Sequence, residues 1–282
     1  MLSRRPVVPS QSFTHRGRRI AFREYGAGPR AIVLTHGLLM DGRMYSRLAP
    51  DLAERGYRVI TADMLGHGDS DHPHDMTCHS MTQYGRDVVA LLDHLELAQA
   101  VVGGTSLGAS VALEVAVEAP SRVRGLVIEM PVLESGIVAA AAVFVPLALA
   151  IRINRPGMKL LSAITRKIPR TTFLLDIALD FVRRDPISSL AVLDGLTFGR
   201  IAPHIEERRA IAHPTLLIGH PRDPIHPFSD ADLMAKELRN ARLVEATSIV
   251  EWRLNPERLT KELCSFLDDV YAAPVRAVAT LH

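Results

Sequence analysis

The chain has 282 residues, of which 48% are hydrophobic and 23% are charged, and this balance is typical of a soluble globular protein with a substantial core. Its 33 Lys and Arg residues nearly match its 31 Asp and Glu residues, so the net charge of +2 argues against a nucleic-acid partner. The two cysteines, Cys78 and Cys264, are widely separated, which argues against a disulfide framework and a zinc site.

The first residues of the chain bear on its location. The start, MLSRRPVVPSQSF, has arginines but no apolar stretch after them, which argues against a secretory signal. Together with the few cysteines, this predicts a cytoplasmic location. Residues 1–17 are expected to form an N-terminal extension and residues 274–282 a C-terminal tail.

Apolar, β-branched runs alternate with helical patterns over residues 18–131 and 213–273, which predicts an α/β core with parallel strands joined by crossover helices. The predicted strands are the short apolar runs 19–24, 31–35, 58–62, 100–103, 125–129, 215–219 and 242–245. The predicted helices are the amphipathic stretches 44–56, 82–97, 106–118, 229–239 and 256–271. Asn255 is expected to cap the last helix, with Pro256 as its first residue.

The alternation stops over residues 132–212, where the pattern predicts a helical cap above the carboxyl edge of the sheet. Within it, 136–151 (GIVAAAAVFVPLALAI) is apolar throughout, but 16 residues containing Pro146 fall short of a membrane span, which needs roughly 20. We therefore expect a buried or lid helix and no membrane span. The apolar cap favours a small lipophilic substrate or ligand.

A basic segment follows the apolar one, and it offers a contact for an anionic membrane or an acidic partner. Its members are Arg152, Arg155, Lys159, Arg166, Lys167 and Arg170.

The pattern G-x-S-x-G occurs at 104–108, directly after a predicted strand and at the start of a predicted helix. In that context the two glycines permit a sharp turn that exposes the hydroxyl of Ser106, as a nucleophile elbow does. The helix N-terminus beneath the serine favours developing negative charge. Ser106 is therefore the candidate nucleophile.

A second turn, Thr35-His36-Gly37-Leu38, ends another apolar strand. The glycine allows the N–H of Leu38 to point at the site, where the N–H of Leu107 joins it as the second donor of an oxyanion hole. His36 is more simply explained as an anchor of this loop than as a catalytic base.

These motifs resemble the α/β-hydrolase superfamily, as does the D-x-x-G-x-G-x-S turn that begins at Asp63 and ends at Ser70. The similarity extends over about residues 18–272. The resemblance implies the α/β-hydrolase fold, with an eight-stranded, mostly parallel sheet and an inserted helical cap, and the catalytic order Ser, Asp, His. It also implies that Asp223, on the loop after strand 215–219, is the acid; the alternative is an aspartate that forms a turn before Pro224.

The triad histidine is missing from its usual place in that family, the loop after the last strand. The corresponding stretch, 243–259, reads LVEATSIVEWRLNPERL, with Ser248, Ile249 or Glu251 near the expected position. A neutral apolar or hydroxyl side chain at that position cannot take the proton of Ser106 near pH 7.

Two other side chains are candidates for the proton transfer. His226 lies three residues after Asp223 on the same loop, although a histidine so placed more commonly braces its loop. Glu129 ends the strand before the cap, and burial under an apolar lid would raise its pKa and suit it to acid or base chemistry. The alternative role for Glu129 is to pair with an arginine.

The histidine-rich stretch HGDSDHPHDMTCH suggests a metal, but its H-x-H spacing around a proline is poor for one ligand face, so neither a metal nor another cofactor is expected.

Three functions then remain open. The first is hydrolysis of a lipophilic ester through Ser106. The second is lyase, isomerase or cyclase chemistry with the oxyanion hole and a carboxylate. The third is a receptor-like protein that binds a ligand without chemistry.

Overall fold

The computed structural model describes residues 8–169 and 173–274, and its centre is one eight-stranded sheet. In chain order the strands are β1 Gln11–His15, β2 Arg18–Tyr25, β3 Ala31–Thr35, β4 Arg58–Asp63, β5 Ala100–Thr105, β6 Val123–Glu129, β7 Thr215–Gly219 and β8 Ala241–Glu245. They stand in the order β1-β2-β4-β3-β5-β6-β7-β8. The pairs β1–β2 and β2–β4 are antiparallel, and all other neighbours are parallel. The mostly parallel α/β sheet is therefore confirmed.

One strand was not predicted from the sequence, because β1 falls inside the segment expected to be an N-terminal extension. Its residues, QSFTH, bury only Phe13, which is opposite Ile20 of β2. A five-residue edge strand with one buried side chain gives almost no periodic signal. Residues 1–7 of that extension, Arg170 and residues 275–282 of the predicted tail lie outside the described residues.

Helices cover both faces of the sheet and fill the inserted segment. They are α1 Leu48–Glu54, α2 Met81–His94, α3 Leu107–Glu118, α4 Glu134–Ile153, α5 Arg155–Arg166, α6 Phe173–Arg183, α7 Pro186–Phe198, α8 Ile205–Ala210, α9 Phe228–Glu237, α10 Glu251–Leu254 and α11 Glu257–Ala272. Helices α2, α3 and α9 pack on one face, and α1 and α11 pack on the other. The strands are apolar on both sides: Val33 belongs to the first core, whereas Ile32 and Leu34 belong to the second.

The start of α11 differs from the expectation. Pro256, not Asn255, is its N-cap, and no side chain caps the helix. The reason is that the N–H of Asn255 donates to the carbonyl of Glu251 and so closes α10. Asn255 thus ends one helix instead of opening the next.

The apolar stretch of the cap also differs from the expectation. Helix α4 is 20 residues long, four more than the apolar stretch alone, and by length and composition it is the one helix of the described chain that could cross a membrane. It is not a buried helix, since only 17% of its most apolar stretch lies inside the protein. Its inner side packs on α7, where Ala148 and Ile151 meet Leu190 and Leu193.

The parallel register brings four strand ends to the same edge of the sheet. Thr35 of β3 pairs with Gly104 of β5, and Thr105 of β5 pairs with Glu129 of β6. The next pair along this edge joins Glu129 to Ile218 of β7. The loops after these strands therefore start side by side, in the crevice where open α/β sheets bind ligands.

Candidate active site

Ser106 occupies a strained turn between β5 and α3. Its backbone angles are φ 56° and ψ −110°, a conformation that a side-chain-bearing residue rarely adopts. The turn requires glycine on both sides, because a Cβ at Gly104 would lie 2.4 Å from the carbonyl oxygen of Thr35, and one at Gly108 would lie 2.0 Å from it. This tight approach of α3 to β3 fixes the serine at the rim of the crevice.

The side chain of His226 reaches the serine. Its Nε2 lies 2.8 Å from Ser106 Oγ, and its Nδ1 lies 2.9 Å from Oδ2 of Asp223. Both contacts are hydrogen bonds when the neutral imidazole carries its proton on Nδ1, because Nδ1 then donates to the carboxylate and Nε2 accepts from the hydroxyl. Ser106, His226 and Asp223 thus form one continuous hydrogen-bonded chain.

The loop between β7 and α9 supplies both the acid and the histidine. Oδ1 of Asp223 accepts the backbone N–H groups of Ile225 and His226, at 2.8 and 3.0 Å, which closes a tight turn. Pro224 and Pro227 restrict the backbone within and after this turn. Burial alone would raise the pKa of Asp223, but the bond and charge of His226, with the two backbone donors, lower it, so the carboxylate stays ionised near neutral pH.

The two predicted oxyanion donors flank the serine. The loop after β3 passes close to it: a Cβ at Gly37 would lie 3.9 Å from Ser106 Cβ. Leu107 is the first residue of α3, so its N–H has no acceptor within the helix. Leu38 and Leu107 line the same cavity as Ser106 and His226. An oxyanion hole formed by these two N–H groups stays a prediction.

His36 holds two loops together. Its Nε2 accepts the N–H of Met64 at 2.9 Å, and its Nδ1 lies 2.8 Å from the carbonyl oxygen of Gly37. Complete burial lowers its pKa to about 4, so it is neutral under ordinary conditions. These contacts agree with the anchoring role and leave His36 outside the Ser106 chain.

The expectation that burial raises the pKa of Glu129 is wrong. Burial by itself acts in that direction, but the charge of Arg253 and hydrogen bonds at the site outweigh it and lower the pKa to about 2. Arg253 Nη2 donates to Glu129 Oε2 at 2.7 Å, and the hydroxyl of Thr105 donates to the same oxygen. Glu129 is thus a buried, paired carboxylate directly beneath the elbow, and it is unsuited to donate a proton near neutral pH.

The loop after β8 carries out a structural task in this protein. Ser248 accepts a hydrogen bond on its backbone carbonyl from His220 Nδ1 at 2.9 Å, and Glu251 pairs with Arg258. Arg253, which follows on α10, reaches the buried Glu129. The sequence offered an arginine as the alternative partner of Glu129, but it did not show which one, because this contact joins residues 124 positions apart.

The histidine-rich stretch after β4 is used in loop contacts. His67 Nε2 accepts the N–H of Leu39, His79 Nδ1 contacts the hydroxyl of Tyr84, and His74 pairs with Asp185. Within residues 8–169 and 173–274, no three His, Cys, Asp or Glu side chains stand close enough together to hold a metal ion.

A cavity of about 410 Å³ opens beside Ser106. Most of its walls are apolar, and the cap supplies many of them: Ile137, Ala140, Ala141, Phe144, Val145 and Ala148 of α4, with Leu193, Leu196 and Phe198 of α7. Its polar groups are few, namely Ser106, His226, Ser110 and Thr197, with the ion pair Arg152–Asp194. A cavity of this size and lining accommodates a small apolar molecule.

Comparison with known proteins places these features in a family context. A family model described as the alpha/beta hydrolase fold matches residues 30–159. Over 110 residues the chain is 36% identical to bifunctional epoxide hydrolase 2 of Sus scrofa, a match that covers 39% of this chain and 20% of that protein. The chain therefore spans only about a fifth of the length of that curated relative.

Two solved structures are similar over almost the whole chain. The enol-lactonase of Burkholderia xenovorans superposes with a TM-score of 0.74 at 23% identity, covering 92% of this chain and 100% of its own. A thermophilic esterase from Thermogutta terrifontis gives a TM-score of 0.73 at 22% identity, covering 93% and 99%. At these identities the likeness shows the shared fold.

Proposed function

The chain has the α/β-hydrolase fold, and from that premise we propose that it is a serine hydrolase that cleaves a carboxylic ester of a neutral, lipophilic small molecule. The observation that carries the proposal is the hydrogen-bonded chain Ser106–His226–Asp223, with contacts of 2.8 and 2.9 Å. Acid, base and nucleophile stand in hydrogen-bond reach of one another, as acyl transfer requires.

In the proposed reaction, Ser106 Oγ attacks the ester carbonyl carbon while its proton passes to His226 Nε2. Asp223 holds the imidazole in the required orientation and stabilises the imidazolium. The N–H groups of Leu38 and Leu107 bind the oxyanion. When the tetrahedral intermediate collapses, the alcohol leaves with the proton of His226. A water molecule, deprotonated by His226, then attacks the acyl-enzyme. The second tetrahedral intermediate collapses to the carboxylic acid, and the proton of His226 returns to Ser106 Oγ.

The cavity supports the substrate class. Its walls are mostly apolar, and the charged pair that lines it, Arg152 and Asp194, is already satisfied internally. A charged acyl group would lose its hydration there without a free partner, which is costly. The names of the two structural neighbours, an enol-lactonase and an esterase, are consistent with an open-chain or cyclic ester.

The other two functions have less support. Acid–base chemistry by Glu129 conflicts with its pairing to Arg253 and its lowered pKa. A receptor without chemistry has no need for a base placed 2.8 Å from a serine hydroxyl. Each alternative nevertheless predicts a distinct experimental result.

The test is hydrolysis of p-nitrophenyl esters, from acetate to dodecanoate, by the wild type, Ser106→Ala and Ser110→Ala. Ser110 lines the same cavity but is not hydrogen-bonded to His226, so it is the matched control. Ser106→Ala should lower kcat by about 10⁴-fold or more, whereas Ser110→Ala should retain kcat within about tenfold. Ester turnover that survives in Ser106→Ala contradicts the proposal. Absence of turnover and of a fluorophosphonate adduct, with a ligand-dependent rise in Tm, supports the receptor instead.

A further inference from the structure

The outer side of α4 is an apolar surface that nothing in the described chain covers. Five residues spaced three or four positions apart lie on this side of the helix, and we call them the α4 stripe: Val138, Ala142, Val145, Leu149 and Ile153. Every one of them is exposed, with Val138 at 73% and Ile153 at 76%. The next helix adds the exposed Leu160, Leu161 and Ile164. A soluble monomer rarely presents so continuous an apolar patch without a binding role.

The charge that follows the α4 stripe along the chain is positive, although the exposed Glu134 stands at the start of α4, one turn before Val138. Residues 135–175 contain six Lys and Arg residues and no Asp or Glu, whereas the whole chain carries only +2, so the rest of the chain carries −4. Among the basic residues, Arg155, Lys159 and Lys167 lie exposed on and just after α5, the helix that follows the stripe. Such a combination suits the surface of an anionic bilayer. The apolar side chains insert among the acyl chains, and the anionic headgroups attract the cationic side chains.

The stripe is continuous with the cavity. Val145 belongs to both, since it is 57% exposed and also lines the cavity that holds Ser106. Ile137 and Phe198 line the cavity too, and they are 39% and 78% exposed. An apolar molecule dissolved in a bilayer would therefore reach Ser106 along an apolar path.

A second copy of the chain fits this surface less well than a lipid surface. A two-fold dimer would bring the same patch of each subunit together, and with it two copies of a strongly basic segment. Helix α4 also has a task that a membrane-spanning helix could not perform, because its inner side packs on α7 and forms the cavity wall.

From these observations we propose that the cap docks on the surface of an anionic membrane, with the α4 stripe inserted among the lipids and the basic residues of α5 at the headgroups. The proposal concerns binding alone and does not depend on the hydrolase activity.

The test is flotation of the full chain with vesicles of phosphatidylcholine, with and without phosphatidylglycerol. Binding should need the anionic lipid and should fall when NaCl rises from about 0.1 to about 0.5 M, because salt screens the attraction. Val138→Gln/Leu149→Gln/Ile153→Gln should weaken binding at least about tenfold. Arg155→Gln/Lys159→Gln should weaken it roughly 30-fold, at about 1 kcal/mol for each charge.

The matched control is Met76→Gln/Ile249→Gln/Leu254→Gln, three exposed apolar residues outside the cap, which should bind as the wild type does. A far-ultraviolet circular dichroism spectrum and a cooperative melting transition like those of the wild type show that the stripe variant folds. Three outcomes would overturn the proposal: no binding to anionic vesicles, binding that withstands both high salt and alkaline carbonate as a spanning helix does, or a dimer in sedimentation velocity that the stripe variant abolishes.

Discussion

Replacing Arg253 by Met should destabilise the protein, because it removes the charged partner of the buried carboxylate of Glu129. Glu129 is 1% exposed, and Arg253 donates to it at 2.7 Å. The difference between an ordinary glutamate pKa and a value of about 2 corresponds to about 3 kcal/mol of folding free energy at neutral pH. Breaking a buried ion pair from one side costs about 3–5 kcal/mol, so the unfolding free energy should fall by that amount. For a chain of this size the Tm should drop by roughly 6–10 °C.

The pKa of Glu129 determines how the stability of each protein should change with pH. In the wild type the pKa of Glu129 is lowered, so its stabilisation is present above the unfolded-state value, near 4.5, and is lost as the pH falls toward about 2. Without Arg253, the remaining contacts of Glu129 are the Thr105 hydroxyl and His220, whose Nε2 lies 3.2 Å from Glu129 Oε1. We expect burial to outweigh these two contacts and to raise the pKa of Glu129. The variant should then be least destabilised at acidic pH and should lose stability as the pH rises through the raised pKa.

The assay is the Tm of both proteins by calorimetry between pH 4 and pH 8, with Glu129→Gln/Arg253→Met as the control. The gap between wild type and Arg253→Met should widen as the pH rises, and the double variant should recover part of the loss because no buried charge is left unpaired. A gap that is constant with pH, or a double variant no more stable than Arg253→Met at pH 7, would refute the reasoning.

Three further predictions concern the site itself. Asp223→Asn should lower kcat for an ester by about 10⁴-fold with little change in KM, because the amide favours the wrong tautomer of His226; an unchanged kcat would remove Asp223 from the site. Gly108→Ala should lower the Tm by several degrees and abolish turnover, because its Cβ would lie 2.0 Å from the carbonyl oxygen of Thr35, whereas a folded, active variant would contradict the elbow geometry. Ala141→Phe should reduce the ratio of kcat/KM for dodecanoate to that for acetate, because the ring occupies part of the cavity; an unchanged ratio would mean that the acyl chain lies elsewhere.

The sequence predicted the parts of this protein that depend on neighbouring residues. The elbow at Ser106 follows from glycines two residues away on either side and from an apolar run before them. The sequence signal of the central strands is also local, because strands buried on both faces appear as unbroken apolar runs. The edge strand β1 buries a single side chain, so a search for apolar runs does not detect it.

The sequence offered His226 as a candidate base and an arginine as a partner of Glu129, but it left both contacts open because they join distant parts of the chain. His226 lies 120 residues from Ser106, and whether it braces its loop or faces the serine depends on the path of the backbone between β7 and α9. Arg253 pairs with Glu129 across 124 residues, and this pair reverses the pKa shift expected from burial alone. The exposure of α4 is a third case, since an apolar sequence is the same whether the helix is covered or not.

The central claim is that His226, from the loop after β7, activates Ser106 in place of a histidine after β8. The most direct measurement is the rate at which a fluorophosphonate forms an adduct on Ser106, followed by intact-protein and peptide mass spectrometry in the wild type, His226→Ala and Ser248→Ala. Ser248→Ala tests the loop that carries the histidine in the family. We expect one adduct per chain, on Ser106. It should form at the wild-type rate in Ser248→Ala and at least about 10³-fold more slowly in His226→Ala. Labelling of Ser106 in His226→Ala at the wild-type rate would contradict it.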